Sequence, residues 1–568
     1  MNVAFLKFNW LVVHCCVAAV TVMLSASGCS SDTDETADPT AGAPMEDIPN
    51  EDVGAIHFRN ASKRLGNLVQ PGGRGVALVD FDQDGWPDVT ILAQNEIHRF
   101  RGVGDGLFLP FGAPIEFDFG MAATWADVDG DGDLDLYVSS AYEQHGLFQN
   151  DGTGQLVDVT TAAGFSEPMP AGGQGASFGD VDGDGDLDLY LCFGLPPPEK
   201  IPDDMPPLGE GGSPNRLYIN DGAGRFSRGD ESVAGIPSGE TFMGLWFDAD
   251  DDGDVDLLVV HDASRDEYFT NHDGVLIDES AQRLPGGGNE PSSIMGVDIA
   301  DFDGDGDLDL YGTQRGNDVL WVAQEGRFVN TWGSRIQGYD PSPQVTGWGG
   351  ALVDVDNDGD LDVLATSNYE TIFDPDSGGT GGLRTGWMML LETKGNGVDR
   401  EFSDASDNAG SVFTRPIDGF GFAVGDIDRD GDIDALVGID GSGDKADPDA
   451  HQSPLLMLND GTASADHGYL SLTVRQSGTN SFAVGGSVEV LGLGVRTRRP
   501  IMAGTSYLSS HSYRLHFGLA HYERAPAVKV RWPGGGSTLW LNLPKGEHRL
   551  ERPTDMGNCC TASGCEVR

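Results

Sequence analysis

Asp127-Val128-Asp129-Gly130-Asp131-Gly132-Asp133-Leu134-Asp135 is the stretch that decides the fold, with carboxylates at positions 1, 3, 5 and 9 and glycine at 6. A hard cation such as calcium takes six to eight oxygens at about 2.3 to 2.6 Å, and a short acidic loop turning at its glycine supplies most of them. The pattern recurs seven times. The other side-chain sets are Asp80, Asp82, Asp84 and Asp88; Asp180, Asp182, Asp184 and Asp188; Asp248, Asp250, Asp252 and Asp256; Asp301, Asp303, Asp305 and Asp309; Asp354, Asp356, Asp358 and Asp362; and Asp426, Asp428, Asp430 and Asp434. A fifth oxygen is expected from the main-chain carbonyl at position 7, by analogy with the EF-hand loop. That position is Trp86, Asp133, Asp186, Asp254, Asp307, Asp360 and Asp432.

A single Asp and Gly cluster reads as a turn. Seven copies with Asp at 28 of 28 ligand positions do not, because a solvated turn has no need of four crowded carboxylates. The expectation is about seven structural calcium sites; magnesium fits less well, since it demands near-octahedral geometry and keeps its waters. An EF-hand also needs Glu at position 12 and flanking helices. Position 12 is Ile91, Val138, Leu191, Val259, Gly312, Ala365 and Val437, and the flanks are short β-branched runs such as Val76-Ala77-Leu78-Val79. Each loop therefore joins two strands.

The chain has 568 residues, 91 acidic and 34 basic, for a formal charge of −57. Phosphates are repelled by such a field, which argues against nucleic acid as a partner. Disorder does not explain the acidity, because the acids concentrate in the loops while 39% of the chain is hydrophobic. At the N-terminus, Lys7 and the apolar run from Leu11 to Leu24 read as a targeting segment. It ends in Ala26-Ser27-Gly28-Cys29, which resembles the lipobox of bacterial lipoproteins, with Ala26 in place of Leu. That resemblance implies lipidation at Cys29 and, from Ser30, sorting to the outer membrane or cell surface; ordinary cleavage and secretion is the alternative. Residues 30–53 read as a disordered tether. Cys192, Cys559, Cys560 and Cys565 remain in the mature chain and permit three pairings, with a local bridge in the tail the better fit than zinc.

The first aspartates are spaced by 47, 53, 68, 53, 53 and 72 residues. Periods near 50 in an all-β pattern indicate four-stranded propeller blades. Within a period, a third strand such as Asn215-Arg216-Leu217-Tyr218-Ile219-Asn220, a turn at Asp221-Gly222 and a fourth strand at Arg225-Phe226-Ser227 can be read off. The seventh unit lacks a fourth strand after Leu455-Leu456-Met457-Leu458. Ala55-Ile56-His57-Phe58 supplies one, so residues 55–60 are expected to close the ring. The repeats resemble FG-GAP/VCBS repeats, whose calcium-loop propellers include the integrin α head; Phe178-Gly179 keeps the signature and Gly421-Phe422 varies it.

The expected organisation is a signal segment 1–29, a linker 30–53, a seven-bladed propeller 54–466, a C-terminal β domain 467–553 and a cysteine-containing tail 554–568. Insertions at Leu195 to Pro214, Thr366 to Gly386 and Gly441 to Gln452 all follow a second strand, so they project from the face opposite the metals. Such loops form a binding surface or are tolerated length.

In the C-terminal segment, Gly504-Thr505-Ser506-Tyr507-Leu508-Ser509-Ser510, Leu515-His516-Phe517-Gly518-Leu519 and Val530-Arg531-Trp532-Pro533-Gly534 resemble the ASPIC/UnbV domain, with Ser510 and Ala520 departing from it. The combination looks like the cartilage acidic protein group and its bacterial relatives, and the resemblance brings no established reaction. Ser509, His511 and His516 invite a triad but lack a third partner. Arg496, Arg498 and Arg499 either meet an anionic partner or form a solvated edge. The sequence reads as a calcium-binding, surface-anchored recognition or adhesion protein that binds an extracellular protein or glycan, with no catalytic residues assigned. The alternative is a carbohydrate-active hydrolase or lyase on the same ring. No nucleophile elbow, HExxH helix or phosphate loop is present, and Asp203 and Asp204 sit in a proline-rich insertion.

Overall fold

The computed structural model describes residues 56–553 except 67–72, 94, 168, 195–212, 230–239, 263, 289–291, 337–344, 370–372, 375–378, 381–385, 396–398, 440–452, 462–466 and 494–495. The signal segment, Cys29, the tether, the tail cysteines and most of the three insertions lie outside these residues.

Seven antiparallel four-stranded units follow one another along the chain. Blade 1 is Gly73–Val79, Asp88–Ala93, Glu96–Gly102 and Phe108–Pro110. Blades 2 to 6 open with the inner strands Gly120–Ala126, Gly173–Gly179, Glu240–Phe247, Ile294–Ala300 and Val345–Val353. The acidic nonapeptide always joins the inner strand to the second, and its ninth residue is the first residue of that second strand. Successive inner strands touch around the whole circle, and Gly419–Gly425 of blade 7 returns to Gly73–Val79. Small residues permit that approach. A Cβ on Gly421 would fall 2.1 Å from the Arg74 carbonyl oxygen, and one on Gly75 2.1 Å from that of Met121.

The expected closure is present. Phe58–Asn60 pairs antiparallel with Leu455–Asn459, with Phe58 opposite Asn459, and becomes the outer strand of blade 7. The strand covers three of the six residues expected of it. Phe58 is fully buried and meets Phe413 edge-on at 5.7 Å. Phe58→Ala is expected to cost about 3–5 kcal/mol, in line with other large aromatic truncations. An unchanged denaturation midpoint in Phe58→Ala, or in a chain starting at residue 70, contradicts closure. In blade 6 the second strand, Asp362–Tyr369, runs past Thr366, where the insertion was expected to start, and Phe373–Asp374 pairs with Gly379–Thr380 beyond it.

The C-terminal segment forms two sheets. One orders Arg514–Gly518, Tyr469–Arg475 and Gly546–Glu551; the other orders Thr497–Pro500, Ser487–Leu491, Arg524–Arg531 and Ser537–Pro544. They enclose a core that includes Leu472, Val488, Val530 and Trp532. Cys192 is buried and free of any disulfide. Among the described residues no helix is long and apolar enough to cross a membrane.

Candidate metal loops and the domain that covers them

The seven loops share one backbone conformation. Position 6 is always glycine, with φ between 94° and 103°. Position 4 is also left-handed in every copy, from Gln83 at 57° to Gly304 at 77°. That second requirement explains the glycines, Asn357 and Asp251 at position 4, since these types tolerate positive φ best. Gln83 and Arg429 occupy it at some steric cost.

Hydrogen bonds fix each carboxylate. The position 5 side chain accepts the position 7 amide in all seven loops, as Asp84 does from Trp86 at 2.9 Å. At position 9 both oxygens are used by the backbone. One accepts the position 2 amide, as Asp188 does from Val181 at 2.9 Å. The other accepts an amide from the third strand, as Asp188 does from Asn220 at 2.9 Å. Position 9 is therefore a staple holding the loop to its own blade as well as a candidate ligand. Four of those third-strand residues are asparagines whose side chains also donate to the position 2 carbonyl of the preceding blade: Asn150 to Phe81, Asn220 to Val128, Asn271 to Val181 and Asn459 to Val355, at 2.7–2.9 Å. In the sequence Asn220 reads only as the end of a third strand, and its bond to the neighbouring blade does not show. The recurrence of asparagine ahead of Asp-Gly, at Asn150-Asp151-Gly152, Asn220-Asp221-Gly222 and Asn459-Asp460-Gly461, was the available signal.

Carboxylate oxygens converge to within 4.8 Å in triplets: positions 1, 3 and 9 for Asp80, Asp82 and Asp88 and for Asp301, Asp303 and Asp309, and positions 1, 3 and 5 for the loops starting at Asp127, Asp180 and Asp248. Buried oxygens of Asp80, Asp180, Asp248, Asp301, Asp303, Asp426 and Asp428 have no hydrogen-bond donor. Burial drives the pKa values up: Asp80, Asp127 and Asp180 to about 6, Asp248 and Asp301 to about 7, and Asp88, Asp135 and Asp188 to about 8. A buried acceptor without a donor, beside like charges, is costly unless a cation joins it. The donor set is all oxygen, which suits a hard divalent ion. Arginines approach the position 3 carboxylates of three loops: Arg101 lies 2.6 Å from Asp82 and 2.8 Å from Asp84, Arg283 3.6 Å from Asp250 and Arg335 3.7 Å from Asp303. Four position 7 side chains accept hydrogen bonds from outside their own loop: Asp133 from Gln83, Asp254 from the Asp273 amide, Asp360 from Arg400, and Asp432 from Asn357 at 3.0 Å.

The C-terminal domain lies on these loops. Every position 6 carbonyl accepts a hydrogen bond from outside its loop. Gly85 takes Arg514 and Arg429, Gly185 takes the Thr479 hydroxyl, Gly253 takes the Gly534 amide, Gly306 takes Arg498, and Gly359 takes the Thr497 hydroxyl. The remaining two are reached from the preceding loop, Gly132 by Gln83 and Gly431 by Asn357. Arg498 is buried and also pairs with Asp251, while Arg499 reaches the Leu352 carbonyl at 2.6 Å beside Asp298. The anionic partner foreseen for this arginine run is the propeller itself, and the solvated-edge reading does not hold for Arg498 or Arg499.

One segment goes further and fills the bore. Ser509 and Ser510 pair in parallel with Val76 and Ala77 of blade 1. The Ser510 hydroxyl donates to Ala123 of blade 2 at 3.0 Å, and Phe178 of blade 3 donates its amide to Ala503 at 3.0 Å. The Tyr507 ring meets Phe242 of blade 4 at 5.7 Å and Trp348 of blade 6 at 4.7 Å. The Ser506 amide donates to Val297 of blade 5 at 2.8 Å, and Phe422 of blade 7 donates to the Ser509 hydroxyl at 2.9 Å. All seven inner strands hold this plug, which keeps Ser506 and Leu508 at φ of 56° and 54°, a conformation that persists only where the surroundings impose it.

The triad residues are absorbed by the same packing. Ser509 donates to the Tyr507 carbonyl, His511 Nδ1 accepts from the Val424 amide at 3.3 Å, and His516 Nε2 faces Asn357 Oδ1. Burial lowers His511 to about 4 and His516 to about 3, so both rings are neutral.

Against known proteins, the FG-GAP-like repeat family matches residues 80–138, 127–191, 248–312 and 301–365, and the ASPIC and UnbV family matches 476–552. Cartilage acidic protein 1 of Xenopus tropicalis is 26% identical over 372 residues, which are 58% of this chain and 53% of the relative, so the chain spans about half that relative's length. Among solved structures, an Agrocybe aegerita lectin described as recognising non-reducing terminal N-acetylglucosamine is similar over 72% of this chain and 95% of its own, at 14% identity and a TM-score of 0.38. YCF48 bound to D1 peptide is similar over 73% and 98%, at 9% identity and a TM-score of 0.37. The seventh acidic loop, Asp426 to Asp434, lies outside the matched repeats and is read from the sequence itself. Taken with the sheets described above, the two family matches describe FG-GAP-like repeats arranged as a propeller and followed by an ASPIC and UnbV domain.

Proposed function

We propose that this is an exported, calcium-bound recognition protein, lipid-anchored through Cys29 at the outer membrane or cell surface, that binds an extracellular protein or glycan. Calcium would be held in each loop by the position 1, 3, 5 and 9 carboxylates and the position 7 carbonyl. Its chemistry there is charge balance for buried acids. The protein's own residues do the rest: position 9 clamps the loop to its blade, and the carbonyl crown at position 6 receives the C-terminal domain.

An FG-GAP-like propeller suggests a protein-binding or recognition role, and neither matched family is a typical catalytic one. The observation that carries the reading is which surface the C-terminal domain leaves uncovered among the described residues. The C-terminal domain covers the loop face and fills the bore, so recognition falls to the opposite face, where Phe119 and Tyr142 meet at 4.8 Å and Trp387 is 45% exposed. Aromatic side chains with an apolar body at a wet surface are the residue types favoured at binding hot spots. The test is binding of the whole chain to glycan and extracellular-protein arrays with and without calcium, beside a polysaccharide-degradation screen. A calcium-dependent ligand lost in Trp387→Ala is expected. Turnover of a polysaccharide, or a ligand indifferent to Trp387→Ala, contradicts the reading.

A further inference from the structure

In a chain of formal charge −57, guanidinium groups converge at one place. A cleft of about 290 Å³ opens between the first acidic loop and the face of the sheet strands Tyr469–Arg475 and Gly546–Glu551. Ser471, Thr473, Arg475, Arg514, His548 and Arg549 line it. The parallel register places Thr473 directly opposite Arg549, and Ser471, Thr473 and Arg475 alternate onto one side of their strand. A narrower extension of about 50 Å³ shares Thr473, Arg475 and Arg514 and continues inward to Phe482 and Tyr513.

The cleft is richer in donors than its own acids can satisfy. Glu547, which also lines it, is held by Arg429 and by Arg514, the latter at 3.0 Å. Asp80 belongs to the first acidic loop. Arg475 lies over the Phe482 ring, and its Nε is buried without an acceptor. Among the described residues Arg549 pairs with Glu551 at the outer rim, at 3.0 Å, and is 61% exposed. Burial, and then the neighbouring charge of Arg549, lower the Arg475 pKa to about 10 against the opposing charges of Asp127 and Asp80.

We propose that this cleft binds a sulfate-like oxyanion, free or carried on a single sugar ring. A tetrahedral oxyanion offers several acceptors and no donors, which matches a lining of guanidinium N–H groups and two hydroxyls. The volume accommodates a charged monosaccharide and little more. The site lies on the loop side of the molecule, at the seam between the two domains, so it stands apart from the recognition face proposed above.

The experiment is isothermal titration of the full chain in excess calcium with sodium sulfate, N-acetylglucosamine 6-sulfate and unsulfated N-acetylglucosamine at matched ionic strength. Saturable binding of sulfate or of the sulfated sugar is expected, and the tighter of the two identifies the source. Arg549→Gln, a rim substitution that leaves the melting temperature unchanged, is expected to weaken binding about tenfold or more, as is Arg475→Gln, because each removes a charge-assisted donor. Absence of saturable binding, equal binding of the unsulfated sugar, or full affinity in folded Arg549→Gln overturns the proposal.

Discussion

Chelation with EDTA is expected to lower the melting temperature by roughly 6 to 20 °C, and added calcium to restore it. If loops of this extracellular type bind with dissociation constants of about 0.1 to 1 mM, then about 1 mM calcium contributes roughly 0.4 to 1.4 kcal/mol per site by linkage. Seven sites sum to several kcal/mol, and each kcal/mol moves the midpoint of a large domain by about 2 °C. The pH dependence has a definite sign. The position 1 and position 9 carboxylates rise from 3.8 to about 6 to 8 through burial. The native chain without calcium therefore holds more protons than the unfolded one, so its stability is full below about pH 4 and is lost as pH rises through 6 to 8. Calcium requires those protons to leave. The EDTA effect should accordingly be large at pH 8 and small at pH 5, and an effect that is absent at pH 8 or larger at pH 5 contradicts metal binding at these carboxylates.

The second large effect is expected at Tyr507. This side chain is 1% exposed at the tip of the plug and touches Phe242, Trp348 and Phe420 from three blades. Tyr507→Ala should cost about 3–5 kcal/mol, the range for large buried aromatics, because rings fixed in three different sheets cannot collapse together into the gap. The loss should appear in the propeller as well as in the C-terminal sheets, since the plug touches all seven inner strands. One cooperative transition, shifted as a whole, is expected in denaturant. A wild-type chain that unfolds in two separate steps, with Tyr507→Ala moving only one, contradicts the interlock.

Much of the architecture was legible because it is written locally. The acidic nonapeptide fixes a turn, its flanks fix strands, and its spacing of about 50 residues fixes the blade. Even ring closure could be read, since a missing fourth strand at Leu455-Leu456-Met457-Leu458 implies a donor and Phe58 lies in a suitable one. What could not be read depends on distant partners. Arg514 and Gly85 are 429 residues apart, and Ser510 and Ala123 are 387 apart. Gly504-Thr505-Ser506 looks like an ordinary small-residue loop until the bore that accepts it exists. Position 4 was missed for a different reason. Its left-handed backbone is hidden where Gln83 and Arg429 occupy it, residue types that do not signal positive φ and whose side chains reach Gly132 and Gly85 of the next loop. Position 9 was legible as a carboxylate, but its staple role depends on an amide two strands away.

The central claim is that seven equivalent acidic loops hold divalent ions. Equilibrium dialysis against calcium followed by elemental analysis of the protein tests it directly. About seven calcium ions per chain are predicted, falling by one in Asp182→Asn combined with Asp184→Asn; a chain that retains none, or a count indifferent to those substitutions, contradicts the account.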